Sequence, residues 1–274
     1  MLTRILFILK QKARKIIVQL GYFSKPNFLV VGAQKSGTSA LFNILKQHSK
    51  ISGAIRKEIH FFDNDKNFPC TDFSTYHLYF PFSYEVPKGN LIFEATPSYL
   101  FKPKVALRIF EYNQDMKIII CLRNPVERAL SAWTMFHYGF RNHKKYSHLY
   151  DERSFPVAIE EELKDLNNCP FNSPKPPYLQ TGIYHTQIKK YFELFPRKNI
   201  LILEHSDLNN KHDQTIKEIC DFLNVPDEKL PQLRLNTSLK DNKKEYDEQV
   251  EILRKFYKPH NELLYKLIGK NYNW

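Results

Sequence analysis

At 274 residues with 42% hydrophobic content, the chain can bury a full core, and its length fits one large domain better than two. Its 41 lysines and arginines against 29 acids leave a net charge of +12, which favours anionic partners without choosing among nucleotides, acidic glycans, nucleic acid and membrane surfaces. Cys70, Cys121, Cys169 and Cys220 are widely spaced and form no C-x-x-C pair, which argues against a zinc clip or disulfide framework and for free thiols in a reducing compartment.

Residues 1–26 hold six basic residues, Arg4, Lys10, Lys12, Arg14, Lys15 and Lys25, and no acid. Leu2, Ile5, Leu6, Leu9, Ala13, Ile16, Ile17 and Leu20 recur at helical spacing, so this opening reads as a basic amphipathic helix. Such a helix packs on its own domain or lies on a membrane surface. No apolar run approaches the ~20 residues of a membrane span, and "ILFIL" is too short for a signal-peptide core. The expected location is the cytoplasm, free there or, on the second of those readings, peripheral at the inner membrane face.

From residue 27 to 274 short apolar runs alternate with helical patterns, which predicts a single α/β domain with a central parallel sheet flanked by helices. The expected strands are Phe28–Val31, Leu91–Phe93, Lys117–Leu122 and Asn199–Leu203. Helices are expected at Thr38–Gln47, Val126–Tyr138, Phe155–Leu166, Ile183–Phe195, Gln214–Leu223 and Glu245–Tyr257. The proline-rich run Cys169–Leu179 reads as a surface loop bordering the site, because its prolines have no amide proton for a central strand.

The strand "FLVV" runs into Gly32 and then into a helix beginning near Thr38, the context of a phosphate cradle. Gly32 and Gly37 keep the spacing of a nucleotide-triphosphate loop, but Thr38 stands where that loop needs lysine, and Lys35 lies two residues ahead of Gly37. Ser36, Thr38 and Ser39 add hydroxyl donors. With the triphosphate clamp absent, Lys35 is placed to stabilise charge on a smaller leaving group without a metal, which fits sulfuryl transfer.

Arg123 follows the apolar strand ending at Leu122, Asn124 can cap the next helix, and Pro125 sits where its missing amide costs nothing. Arg123 and Ser131 then offer a two-point grip on a phosphate monoester, with Arg128 a further cation. In "IRKEIHFFDND", Glu58 and His60 are alternate residues, so an extended segment would turn both to one side. A carboxylate there can take a proton from an attacking hydroxyl, with His60 assisting. Phe61, Phe62, Tyr99 and Trp133 are candidates for a sugar-stacking wall, the alternative being core.

These segments resemble the sulfotransferases that use 3′-phosphoadenosine 5′-phosphosulfate (PAPS), and most of all the branch of heparan sulfate and related carbohydrate enzymes. "VVGAQKSGTSAL" resembles the 5′-phosphosulfate loop, "ICLRNPVERALSAW" the 3′-phosphate motif and "KEIHFFD" the segment with the catalytic base; "LRKFYKPHNELLYKLIGKNYNW" is similar to the closing helices. The likeness spans about Asn27 to Trp274 and implies a P-loop-like sulfotransferase fold. It implies that Lys35, Ser36, Gly37, Thr38 and Ser39 hold the 5′-phosphosulfate and that Arg123 and Ser131 hold the 3′-phosphate. Glu58 would be the general base, with His60 near the acceptor and Asp63 further along its cleft. Tyr184 would lie near the nucleotide, and Lys240 and Lys243 on a loop closing over it.

The implied donor is PAPS, the product 3′-phosphoadenosine 5′-phosphate (PAP), with no metal. The acceptor would be a glycan, glycolipid or small hydroxylated molecule rather than nucleic acid. Two positions depart from the heparan sulfate enzymes: Ala95 stands where they carry a second lysine, and no cysteine follows Cys220 for their loop disulfide. The chain thus looks more like a bacterial cytoplasmic member. A degenerate kinase loop would instead require ATP with magnesium. A polyanion- or membrane-binding module would explain residues 1–26 but not the loop.

Overall fold

The computed structural model describes residues 2–166, 175–233 and 246–274. In chain order these form α1 (Leu2–Gln19), β1 (Phe28–Gly32), α2 (Thr38–Leu45), β2 (Ile51–Gly53), α3 (Ser74–His77), β3 (Leu91–Ala95), α4 (Val105–Tyr112), β4 (Lys117–Leu122) and α5 (Pro125–Thr134). Then follow α6 (Phe155–Lys164), α7 (Tyr184–Leu194), β5 (Ile200–Glu204), α8 (His205–Asn210), α9 (His212–Leu223) and α10 (Asp247–Ile268).

The five strands make one parallel sheet in the order β2-β3-β1-β4-β5. Every residue of β1 is buried, as a strand covered on both faces requires. Its side chains alternate: Leu29 and Val31 enter the core that α4, α7 and α10 cover, while Phe28 and Val30 enter the one beneath α2 and α9. A third cluster, with Trp133, Phe155, Tyr178 and Tyr257, joins α5, α6 and α10.

The connection leaving β1 leads through α2 to β2 on one side of the sheet, whereas β4 leads to β5 on the other. The neighbouring carboxyl ends of β1 and β4 therefore form a topological switch point, where α/β sheets bind ligands.

The expected strands and helices are present with shifted ends, and four elements, β2, α3, α4 and α8, were not expected. β2 is a three-residue edge strand with no β-branched run to announce it, and α4 carries a buried arginine, Arg108, in its pattern. The last helix does not stop at Tyr257 but continues through Pro259 to Ile268. The burial of Asn261, Leu264 and Ile268 holds the turns beyond the proline, outweighing the lost amide hydrogen bond. The helix from Pro125 ends at Thr134 and passes into a π-turn over Met135–Gly139.

Among its described side chains, the N-terminal helix packs on the domain along one side. Arg14 donates from Nε to Leu78 O at 2.6 Å, also donates to Phe80 O, and stacks on Phe82; Val18 is buried. Leu9, Ile16 and Leu20, at helical spacing on the opposite side, are 56%, 57% and 68% exposed.

Candidate active site

The phosphate-loop candidates leave β1 at its carboxyl end. Ala33 N donates to Cys121 O at 2.7 Å, which ties the loop to β4, and Ser36 N donates to Ala33 O at 3.2 Å. Lys35 and Gly37 both have left-handed backbone, with φ of 70° and 80°. Gly37 is the residue that precedes α2, and no side chain caps that helix, so its first amides are left for an anion to meet, as a candidate site. A Cβ at Gly37 would stand 2.7 Å from the His205 ring, so glycine is required both for its φ and for this approach. Thr38 is buried. Ser36 is fully buried, and among the described residues its Oγ meets no group at hydrogen-bonding geometry, although the Tyr184 hydroxyl is near enough to feel it.

Arg123 is brought against this loop. Its Nε and Nη2 donate to Glu127 Oε2 at 3.3 and 3.2 Å, and Nη1 donates to Lys35 O at 3.4 Å. Asn124 caps α5 as expected, accepting at Oδ1 from Val126 N and Glu127 N at 3.0 and 3.4 Å. Ser131 lies further along α5 and is 6% exposed. The buried Tyr184 hydroxyl donates to Arg123 O at 2.9 Å, so Tyr184 braces the Arg123 backbone. Burial, with Arg123 adding, pushes the His205 imidazole down to about 4, which keeps it neutral beside the loop.

The acid–base candidates sit over the neighbouring strand end. Glu58 N donates to Ala95 O at 3.0 Å at the end of β3, where Ala95 pairs with Val30 of β1. The segment is not extended: Glu58 and His60 have φ of 61° and 58°, and the turn rather than a strand's alternation brings His60 Nε2 within 3.8 Å of Glu58 Oε2. His60 Nδ1 lies 2.9 Å from Asp63 Oδ2, which also accepts from Ser98 Oγ at 2.6 Å. Lys57 pairs with Glu58. The bond from His60 above all, with Lys57 adding, holds the Glu58 carboxyl down at about 2; Asp63 and then Glu58 hold the His60 imidazole up at about 9. The cluster is thus a carboxylate–imidazolium–carboxylate row.

Several expectations are corrected. Arg128 is fully buried, donating to Tyr178 O, and offers no open cation. Phe61, Phe62, Tyr99 and Trp133 are at most 4% exposed; they are core, because the sheet leaves large aromatics nowhere else to pack so completely. Lys240, Lys243 and Cys169 lie outside the described residues. Glu127, Ser98, Thr96 and His205 escaped sequence reading. Only Glu127 left a sign there, its place four residues beyond Arg123.

A cavity of about 300 Å³ opens between Ala33 and Gln34 of the loop and Ser98 beside Asp63. Phe101, Phe136 and Tyr178 wall it, and Pro176 and Pro177 of the proline-rich segment border it. A second, of about 410 Å³, shares Phe101 and Gln187 with it and reaches the His185–His260 pair. Among the described residues, no cluster of three His, Cys, Asp or Glu side chains is arranged for a metal, and no helix is long and apolar enough to cross a membrane.

A parallel α/β sheet with an uncapped glycine-turned helix at its switch point, an arginine on the adjacent strand end and a carboxylate–histidine cluster beside it defines a group-transfer enzyme of the phosphate-loop class. Residues 25–269 match the model of the sulfotransferase domain family, and the chain belongs to that family: it is a sulfotransferase. It is 28% identical over 271 residues to heparan sulfate glucosamine 3-O-sulfotransferase 5 of Mus musculus, covering 91% of this chain and 74% of that one. A membrane-associated sulfotransferase, kil1 of Dictyostelium discoideum, is 23% identical over 319 residues, covering 91% and 66%. The solved sulfotransferase of Alicyclobacillus acidocaldarius superposes with a TM-score of 0.69 at 27% identity, over 90% of this chain and 97% of that one.

Proposed function

We propose that the enzyme moves a sulfonate from PAPS to a hydroxyl or amine of a carbohydrate or glycolipid. The observation that carries this reading is the cavity that Ala33 and Gln34 of the loop line on one side and Ser98, whose hydroxyl is bonded to Asp63, lines on the other. The residues fit the donor: Ser36 Oγ is buried with no hydrogen-bond partner among the described residues, α2 begins uncapped, and Lys35 and Arg123 supply cations from two strand ends. PAPS, when bound, supplies the sulfonate and an anionic leaving group. The loop amides and the hydroxyls of Ser36, Thr38 and Ser39 hold the 5′ end, Arg123 and Ser131 hold the 3′-phosphate, and Lys35 stabilises the charge that develops on departure. Glu58 takes the acceptor proton. Its basicity is released when the acceptor displaces Lys57 or His60 from the carboxylate. Of the heparan sulfate relatives' chemistry, only the transfer to a carbohydrate is carried over, because Ala95 is buried where they place a second lysine.

The test is thermal denaturation in EDTA with PAP, beside ADP in EDTA and ATP with magnesium. A ligand at 100 times its dissociation constant contributes about 2.7 kcal/mol, and each kcal/mol raises the midpoint by roughly 2–4 °C at this size. A metal-independent rise of several degrees is expected with PAP alone. A rise confined to ATP with magnesium would replace this reading with the kinase one.

The exposed row Leu9, Ile16 and Leu20, flanked by exposed Lys12 and Lys15, favours attachment of this helix to an anionic membrane surface. The protein is expected to sediment with vesicles containing phosphatidylserine and not with phosphatidylcholine alone. Leu9→Ser with Ile16→Ser should abolish sedimentation and leave PAP binding unchanged; unaltered sedimentation would discard the helix as the anchor.

A further inference from the structure

Glu94 is the last residue but one of β3, before Ala95, and is fully buried with no cation bonded to it among the described residues. Burial pushes its carboxyl up to about 7 against the lowering by three hydroxyls, so above that pH it is a carboxylate that only accepts. Tyr76 donates to Oε1 at 2.7 Å, Tyr99 to Oε1 at 3.1 Å and Thr96 to Oε2 at 2.7 Å. A hydroxyl has one proton, so each of these, once committed to Glu94, presents only lone pairs elsewhere. Those lone pairs meet the backbone amides of the segment that follows Glu58. Ile59 N donates to Thr96 Oγ1 at 3.1 Å, and Phe61 N and Phe62 N donate to Tyr99 Oη at 3.0 and 3.3 Å.

We propose that Glu94 is a positioning residue: by accepting all three hydroxyl protons it sets the polarity of a two-layer relay whose outer face fixes the turn that carries Glu58 and His60. The inference rests on the reading of that turn as the acceptor-side machinery. The turn needs such a device, because Glu58 and His60 both hold left-handed backbone that non-glycine side chains disfavour. Ion pairing alone does not supply it. His60 is half exposed, whereas Glu94, Thr96 and Tyr99 are all wholly buried, where hydrogen bonds are strong and a misdirected proton is costly.

The substitution Glu94→Gln keeps size and shape but turns one acceptor into a donor. If the new amide nitrogen takes the Oε2 position, Thr96 must accept from it, and its own proton, which Glu94 no longer takes, competes with Ile59 N for what remains around Oγ1. If it takes the Oε1 position, Tyr99 meets three N–H donors, and its displaced proton competes with Phe61 N and Phe62 N. Either orientation weakens the outer layer.

The experiment is Glu94→Gln, with imidazole NMR titration of His60 assigned by its loss in His60→Gln, and PAP binding measured on the same samples. His60 is expected to fall from about 9 towards its ordinary 6.5 as the row comes apart, with PAP affinity unchanged. Turnover should fall about 10²-fold, the effect of an ångström's misplacement. Tyr99→Phe and Thr96→Val, which leave Glu94 intact and remove one outer acceptor each, should lower the His60 midpoint as well, and they decide the matter if Glu94→Gln does not fold. An unmoved His60 titration in the folded variants would overturn the inference. Absence of PAP binding by the unaltered protein would instead strike at the donor assignment, and so separates the two failures.

Discussion

Replacing Glu58 with Gln is expected to lower turnover by about 10²–10⁴-fold, the contribution of a positioned general base, while PAP binds as before. The measurement is transfer of radiolabelled sulfonate from PAPS into a mixed glycan and glycolipid fraction, beside PAP titration calorimetry. Loss of PAP binding in parallel would remove Glu58 from the acceptor side, since its backbone is anchored on β3 and not on the phosphate loop.

The same variant tests the charge row. His60 is raised above its ordinary value in the fold, so its pairing stabilises fully below about 6.5 and is lost as the pH rises through about 9. Glu58 is depressed, so its share is complete above about 4.5 and is lost as the pH falls through about 2. Both are therefore in force between these limits. In Glu58→Gln one of the two carboxylates that hold the His60 proton is gone and Asp63 remains, so the alkaline loss of thermal stability moves to lower pH. Identical alkaline limbs in the two proteins would show that Asp63 alone holds that proton.

Arg123→Ala is expected to weaken PAP by roughly ten- to a hundredfold, since a hydrogen bond to a charged group contributes about 1.5–3 kcal/mol. Adenosine 5′-phosphosulfate, which has no 3′-phosphate, should bind the variant and the unaltered enzyme alike. The affinity gap between the two ligands therefore closes. Fold stability should hardly change, because Glu127, the partner left behind, is 40% exposed and water takes over its hydration. A variant that still prefers the 3′-phosphorylated ligand would move that phosphate away from the end of β4.

The site's motifs were legible because each is local. A glycine-turned strand–helix junction, an Asn-Pro helix start and a Glu-x-His pair are each complete within a few residues, and the fold class follows from apolar runs alternating with helical patterns. The reach of α10 beyond Pro259 was not legible, since the proline's local cost is visible in the sequence but the burial of Leu264 and Ile268 that offsets it is not. Nor was the fate of the aromatics. Composition cannot tell a stacking wall from a core, and only packing sent Phe61, Phe62, Tyr99 and Trp133 inward.

By itself, then, the sequence determined the class of sheet, the glycine-turned junction of β1 and α2, the cap of α5 and the choice of candidate residues, all of which depend on near neighbours in the chain. The tertiary structure alone decided that Arg123 meets Lys35 across 88 positions, that Ser98 joins Asp63 across 35, and that Tyr76 and Glu94 lie beneath the turn of Glu58. The physical reason is that parallel strands bring distant carboxyl ends side by side. The polarity of a hydrogen-bond relay is set by which groups meet there, and no window of neighbouring residues contains that pairing.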